Sequence, residues 1–378
     1  MKLRPLRRLT AAALTTAAVL VTMGLGVATA PAQAAKPTAV VALGDSFISG
    51  EAAGRYEEGT DQSDNLCHRS RVAEIKKTAI AGIDSRINLA CSGAQTSNVR
   101  LDGVGQYNEA TQARQLREVA KAYDVKMVLL GIGGNDVGFG ELVLDCVKAY
   151  YLIAPRCQDV WATKLGTRLR ATAPRIAASL ADIRTVMRDA GYADGDYQLV
   201  LQSYSSPVTE KTRYLATKTV HGCPIRADDA EWGRDVVVPG FTATMAQVAD
   251  QMGVRYLDMG PALRGREVCA RGITKYQEWV RGITIDATQV RNGVGNNIVQ
   301  QSLHPNARGH AQFGRCLTGF YALVSQSQAA RCVRQADGNL SAIPASLSDL
   351  TVNDAPKTLP VQPEPPPAQQ VSAAAATG

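Results

Sequence analysis

Two residues of this chain have the types and surroundings for nucleophilic acyl transfer. Ser46 stands in Gly44-Asp45-Ser46, directly behind the apolar run Thr38–Leu43. A serine at a strand-to-loop turn can present its hydroxyl at a sheet edge, and Gly44 lets the backbone turn without steric cost. Taken alone the tripeptide reads as an ordinary turn, and the G-x-S-x-G elbow of α/β-hydrolases is absent. His304 stands in Ser302-Leu303-His304-Pro305-Asn306. Proline is favoured at the first helical position, and Phe313, Leu317, Phe320 and Leu323 continue at helical spacing. At or just before that N-terminus the helix dipole disfavours imidazolium, leaving the neutral ring a general base needs. His68 beside Cys67 and His221 near Cys223 read as structural, and His310 falls inside the expected helix.

Two further segments could supply hydrogen-bond donors. Gly93, in Cys91-Ser92-Gly93-Ala94, can turn its backbone N–H toward a ligand. Gly133-Gly134-Asn135-Asp136 lets the chain approach another group closely, and Asn135 carries a neutral amide. A developing oxyanion needs donors, so an amide suits that position and a carboxylate would not. Each segment reads equally well, by itself, as a loop turn.

These side chains need elements to position them. Thr38–Leu43 and Lys126–Gly131 predict buried parallel strands, as do Tyr197–Leu201 and Val254–Leu257, and Ile87–Ala90 predicts another ahead of Cys91. Leu165, Leu169, Ile176, Leu180, Ile183 and Met187 share one helical face, and Thr242–Met252 predicts a second, shorter helix. Strands alternating with helices indicate an α/β fold with a mostly parallel sheet. Ligands of such sheets sit outside the carboxyl ends of the strands. The loops at Gly44 and at Gly131–Asp136 both leave strands there.

The order of these pieces carries more than any one of them. Gly44-Asp45-Ser46, then Gly93, then Gly133-Gly134-Asn135-Asp136, then His304-Pro305: from Ala39 to Val324 the chain resembles the SGNH, or GDSL-type, hydrolase superfamily. Asn65-Leu66-Cys67-His68-Arg69-Ser70 is similar to its secreted actinobacterial branch of esterases and phospholipases. The resemblance implies a three-layer α/β/α sandwich with a five-stranded parallel sheet, flavodoxin-like in outline. It implies Ser46 as nucleophile and His304 as base. The implied oxyanion hole is the backbone N–H of Ser46 and of Gly93 with the side chain of Asn135. Many members place Asp three residues before the histidine; here that residue is Gln301, and no carboxylate lies between Asp286 and His304. The similar branch includes enzymes that use a main-chain carbonyl instead. A Ser–His dyad is therefore expected, with the carbonyl of Gln301 or of Ser302 accepting from Nδ1, in the role a triad carboxylate usually fills.

The chain ends set the compartment. Lys2, Arg4, Arg7 and Arg8 precede an uncharged Ala/Val/Leu-rich run and Ala32-Gln33-Ala34, so residues 1–34 are expected to be a secretory signal peptide. No other run approaches the ~20 apolar residues of a spanning helix. All eight cysteines lie beyond that leader, which reads as disulfides in an exported chain. Sequential pairing closes four short loops: Cys67–Cys91, Cys146–Cys157, Cys223–Cys269 and Cys316–Cys332. The branch typically carries three disulfides, which supports the first three; the fourth would be an addition. C-x-x-C is absent and His221-Gly222-Cys223 is too tight for a zinc pair, so no metal and no cofactor are expected. Of the net charge of +7, four charges belong to the leader, and Lys and Arg are scattered. No nucleic-acid partner is expected. From Asp337 periodicity is lost, and Pro360, Pro363, Pro365, Pro366 and Pro367 crowd one stretch. The hydrolase domain is therefore expected over 35–336, with 337–378 a disordered tail or wall-spanning stalk.

The expected protein is a secreted, monomeric serine esterase or lipase working through an acyl-enzyme, with acyl lipids or phospholipids favoured as substrates. The alternatives are a non-catalytic extracellular binding protein on the same scaffold, or an acyltransferase or carbohydrate deacetylase using the same site. Tyr150-Tyr151-Leu152-Ile153 is either an apolar wall for acyl chains or a disulfide-pinned loop on the core, and the acidic, polar loop Glu51–Asp64 borders the site.

Overall fold

The computed structural model describes residues 35–151, 155–212, 223–283, 300–324 and 327–352. The expected leader, Leu152, Ile153, His221, Asp286 and the Pro360–Pro367 stretch lie outside them. In chain order the elements are β1 (Thr38–Gly44), α1 (Ser46–Ser49), β2 (Ser85–Asn88), α2 (Thr96–Val99), α3 (Gln112–Ala122), β3 (Asp124–Gly131), α4 (Gly134–Val137), α5 (Phe139–Tyr151), α6 (Cys157–Asp189), β4 (Gln198–Gln202), α7 (Ala227–Trp232), α8 (Val238–Met252), β5 (Arg255–Asp258), α9 (Ala307–Ala322), β6 (Ala329–Arg334), β7 (Leu340–Ala345) and α10 (Leu347–Val352).

Strand β1 is buried on both faces, and its side chains alternate between two cores. Val41 and Leu43 join one core, as do Val128 and Leu130 of β3. Val40, Ala42, Met127 and Leu129 join the other. The first core is closed by Leu116 of α3, by the apolar face of α6 and by Phe241 and Met245 of α8. The second is closed by Phe313, Leu317 and Phe320 of α9 and by Ile75. Helices thus cover both faces of the sheet, giving three α/β/α layers. The six α6 residues picked out by their spacing are all buried on the sheet side.

The strand order is β2-β1-β3-β4-β5-β6-β7. Its first five strands run in the flavodoxin-like order, whose switch point falls between β1 and β3. There Gly44 pairs in register with Gly131, so the loops leaving both strands start side by side.

Among the described residues the sheet has seven strands rather than five. Strand β6 pairs parallel with β5, and β7 returns antiparallel to β6. The return is a turn at Gly338, which has a φ of 85°, a left-handed value that favours glycine. The same finding moves the domain boundary set at 336/337, because residues 340–352 fold onto the domain. Leu340 and Leu350 are fully buried, and Gln312 of α9 exchanges hydrogen bonds with Asn339 and Leu340. Strand β7 carries Pro344, which a sheet edge tolerates and a central strand does not. Its burial comes from α9 and β6, which local composition does not register.

The four disulfides join the cysteines in sequence order: Cys67–Cys91, Cys146–Cys157, Cys223–Cys269 and Cys316–Cys332. Among the described residues no helix is long and apolar enough to cross a membrane.

Candidate active site

The turn after β1 is built around a glycine. Gly44 has φ 146°, and a Cβ there would lie 2.1 Å from the Gly131 carbonyl oxygen. Asp45 then donates its N–H to that oxygen (3.1 Å) and caps the single turn α1 by accepting from the Phe47 N–H (3.1 Å). Ser46, the first residue of that turn, is 8% exposed.

His304 reaches Ser46 from the far end of the domain. Its Nε2 lies 2.7 Å from Ser46 Oγ. Its Nδ1 lies 3.1 Å from the Ser302 carbonyl. The Gln301 carbonyl instead faces the His304 backbone N–H at 3.4 Å. Of the two carbonyls expected to orient the ring, Ser302 is the one placed to do so. The histidine loop is clamped by the segment before it. Leu303 N–H donates to the Arg281 carbonyl, and Arg281 N–H donates to the His304 carbonyl, both at 2.9 Å. Leu303 itself has φ 61°, a strained value for a bulky residue. That twist sends Leu303 into the core and His304 toward Ser46.

Helix α9 is capped by Asn306, whose Oδ1 accepts from the N–H groups of Arg308 and Gly309, so Pro305 precedes the helix rather than opening it. The low pKa of His304 also has a different cause from the expected helix dipole. Burial lowers it, against the opposing charge of Glu51 and the hydrogen bond to Ser302. The ring of Phe47 packs on the imidazole at 5.2 Å.

The expected oxyanion donors converge from β2 and β3. Gly93 is exposed and has φ 78°, and its loop is tied to β1 by Cys91 N–H donating to the Gly44 carbonyl (3.1 Å). Asn135, on α4, donates from Nδ2 to the Ala94 carbonyl (2.8 Å). An amide nitrogen carries two hydrogens, and one of them anchors Asn135 to the Gly93 loop.

Tyr204, just past β4, has no counterpart in the sequence reading. Its hydroxyl donates to Asp45 Oδ2 and accepts from the Gly134 N–H (3.3 Å). It thereby joins the turn before Ser46 to the turn before Asn135. Burial raises the Asp45 pKa to about 7, although the Tyr204 and Phe47 hydrogen bonds pull it down. Its position outside the carboxyl end of a central strand is the one signal that marked it.

An apolar pocket opens beside the histidine loop, lined by Phe139, Leu142, Val143, Val208, Ile225 and Leu303. Its wall is the first turns of α5, not Tyr150 and Tyr151 at the helix end, of which Tyr151 is exposed. Glu51, the first residue of the acidic, polar loop expected to border the site, is fully buried. Among the described residues no group of three or more His, Cys, Asp or Glu side chains is placed to hold a metal ion.

An α/β/α sheet with a buried Ser–His pair at its switch point defines a class of hydrolase-like folds. The chain belongs to the GDSL-like lipase/acylhydrolase family, whose profile matches residues 42–312. It is 36% identical over 144 residues to a lipase of Streptomyces rimosus, covering 37% of this chain and 47% of that protein. It is 36% identical over 122 residues to lipase 1 of Streptomyces coelicolor, covering 31% and 39%. The chain thus aligns with less than half the length of these curated relatives. Among solved structures it is similar to the extracellular lipase of Streptomyces rimosus (22% identity, TM-score 0.45, 76% of this chain and 98% of that one). It is also similar to phospholipase A1 of Streptomyces albidoflavus (22%, 0.48, 77% and 99%).

Proposed function

We propose that the protein is a secreted carboxylic-ester hydrolase that cleaves acyl lipids or phospholipids through an acyl-enzyme on Ser46. The observation that carries this reading is the 2.7 Å contact between Ser46 Oγ and His304 Nε2. The base is in hydrogen-bond reach of the nucleophile, and a main-chain carbonyl on Nδ1 favours the tautomer with Nε2 free to accept.

His304 takes the Ser46 proton as the hydroxyl oxygen attacks the ester carbonyl. The tetrahedral oxyanion is held by the N–H groups of Ser46 and Gly93 and by the Asn135 amide, each worth about 10²–10³ in rate. The protonated imidazole gives its proton to the leaving alcohol. Water, deprotonated by His304, then releases the acid and restores Ser46.

Family membership and the lipase relatives support ester hydrolysis. The lipases among its relatives support an acyl lipid as substrate. A leader-like N-terminus and four disulfides support export to an oxidising compartment.

The test is labelling with a fluorophosphonate probe, together with p-nitrophenyl esters of graded chain length, phospholipids and an acetylated sugar. Labelling lost in Ser46→Ala and a preference for long acyl chains are expected. A folded wild type that takes no label would leave the binding-protein alternative standing. A preference for the acetylated sugar would favour a deacetylase.

A further inference from the structure

Outside the Ser46–His304 pair lies a second cluster of buried ionisable side chains. Glu51 and His68 are both fully buried. His68 Nδ1 lies 2.6 Å from Glu51 Oε2, and its Nε2 lies 3.1 Å from Asp61 Oδ1. Burial opposes a charge on the ring, but the hydrogen bonds and charges of Glu51 and Asp61 raise the His68 pKa above the ordinary value. Tyr56 stacks on the ring, centroids 4.7 Å apart.

The carboxylate of Glu51 is in turn shared with the candidate oxyanion loop. Its Oε2 accepts from Ser92 Oγ, next to Gly93. The backbone N–H of Glu51 donates to the Ser46 carbonyl at 3.2 Å. One residue therefore holds the nucleophile turn by its main chain and the Gly93 loop by its side chain. Two further ties fasten the same loop to the segment that carries His68. These are the Cys67–Cys91 disulfide and the Ser92 N–H to Cys67 carbonyl bond (3.0 Å). They fix the loop to residue 67, while the Cys91 N–H bond to the Gly44 carbonyl and the Glu51 side chain tie it to the turn that carries Ser46.

We propose that Glu51, held in place by His68, is a positioning residue that helps set the spacing between the Ser46 and Gly93 backbone donors through the hydroxyl of Ser92. The proposal rests on the ester-hydrolase reading of the site. Glu51 touches neither substrate nor Ser46 Oγ; it acts by where it holds Gly93.

Ser92→Ala removes one hydroxyl and leaves the disulfide and every backbone tie in place. The variant is compared with wild type for ester turnover, for inhibition by an alkyl boronic acid, and for hydrogen exchange at the Gly93 amide. The expected result is a kcat about 10- to 100-fold lower at nearly constant KM, as small misplacements near reacting atoms produce. Boronate affinity, which reads the tetrahedral oxyanion, should fall by a similar factor, and Gly93 exchange should quicken. Adding Glu51→Gln to Ser92→Ala should cost little more, since both cut one tie. Unchanged kcat and boronate affinity in folded Ser92→Ala would overturn the proposal, as would a lower kcat with unchanged boronate affinity. A wild type inert toward every ester would instead sink the hydrolase reading. The tie would then be judged by Gly93 exchange alone, where no change on removing the Ser92 hydroxyl refutes it.

Discussion

The main-chain carbonyl of Ser302 faces Nδ1 of His304 at 3.1 Å, two residues away in the same loop. A backbone acceptor has no side chain to lose. Gln301→Ala and Ser302→Ala should therefore keep kcat within about threefold of wild type, whereas His304→Ala should lower it by about 10⁴-fold or more. Steady-state hydrolysis of a p-nitrophenyl ester measures all three. A collapse in Gln301→Ala would show that its side chain takes part.

Burial keeps His304 below its ordinary pKa of 6.5. A base works only when neutral, so kcat/KM rises with pH and levels off once the ring is deprotonated. The acid limb should inflect below pH 6.5. Glu51 opposes that shift, so Glu51→Gln should move the inflection lower still. A pH profile of kcat/KM decides both points, and an inflection above 6.5 in wild type would contradict the burial argument.

Tyr204 is the hydroxyl donor to Asp45 Oδ2. Tyr204→Phe leaves that buried oxygen without this donor, which costs about 1–3 kcal/mol of stability. It also removes one of the ties between the Gly134 turn and the Ser46 turn. Chemical denaturation should show the loss in stability, and ester turnover should fall with little change in KM. Equal stability and turnover in the variant would remove Tyr204 from the site.

Glu74 is fully buried, and burial raises its pKa from 4.5 to about 8 against the hydrogen bond from Gln202. The folded state therefore holds this proton more tightly than the unfolded chain. Stability from this group is fully present below pH 4.5 and declines as pH rises toward about 8. Glu74→Gln should flatten that part of the stability curve, so its melting temperature should gain on wild type as pH rises. Thermal melts between pH 5 and 8.5 test the sign, and a wild-type advantage growing with pH would reverse it.

Strand β7 and α10 bury Leu340 and Leu350 completely. Each such side chain is worth about 1.5–3 kcal/mol on burial. A chain ending at Ala336 should melt well below the full chain and be cut faster by protease. Equal melting temperatures would restore the boundary that composition suggested.

Ser46 and His304 were legible from the order of the motifs along the chain, because Gly44-Asp45-Ser46 taken alone reads as an ordinary turn; the structure brings the two side chains together. Glu51, His68 and Tyr204 were not legible in the same way. Their meaning lies in partners distant in sequence: Tyr204 meets Asp45 across 159 residues and Ser92 meets Glu51 across 41. Nothing in a window around Glu51 distinguishes a solvated acid from a buried one. Leu303 hid for a different reason, since a left-handed leucine contradicts the preference of its own side chain and is imposed by Arg281. The extra strands β6 and β7 were missed because their burial is supplied by α9 rather than by their own pattern.

Ser46 and His304 stand 258 positions apart, and that separation is also an interval of time. A ribosome adding about 5–20 residues per second makes the serine on the order of ten to fifty seconds before the histidine. Until the last third of the chain exists, the growing polypeptide has a hydroxyl and no base. The proposed nucleophile therefore meets its proposed base only once synthesis has reached residue 304, so any activity of the pair waits on the end of the domain.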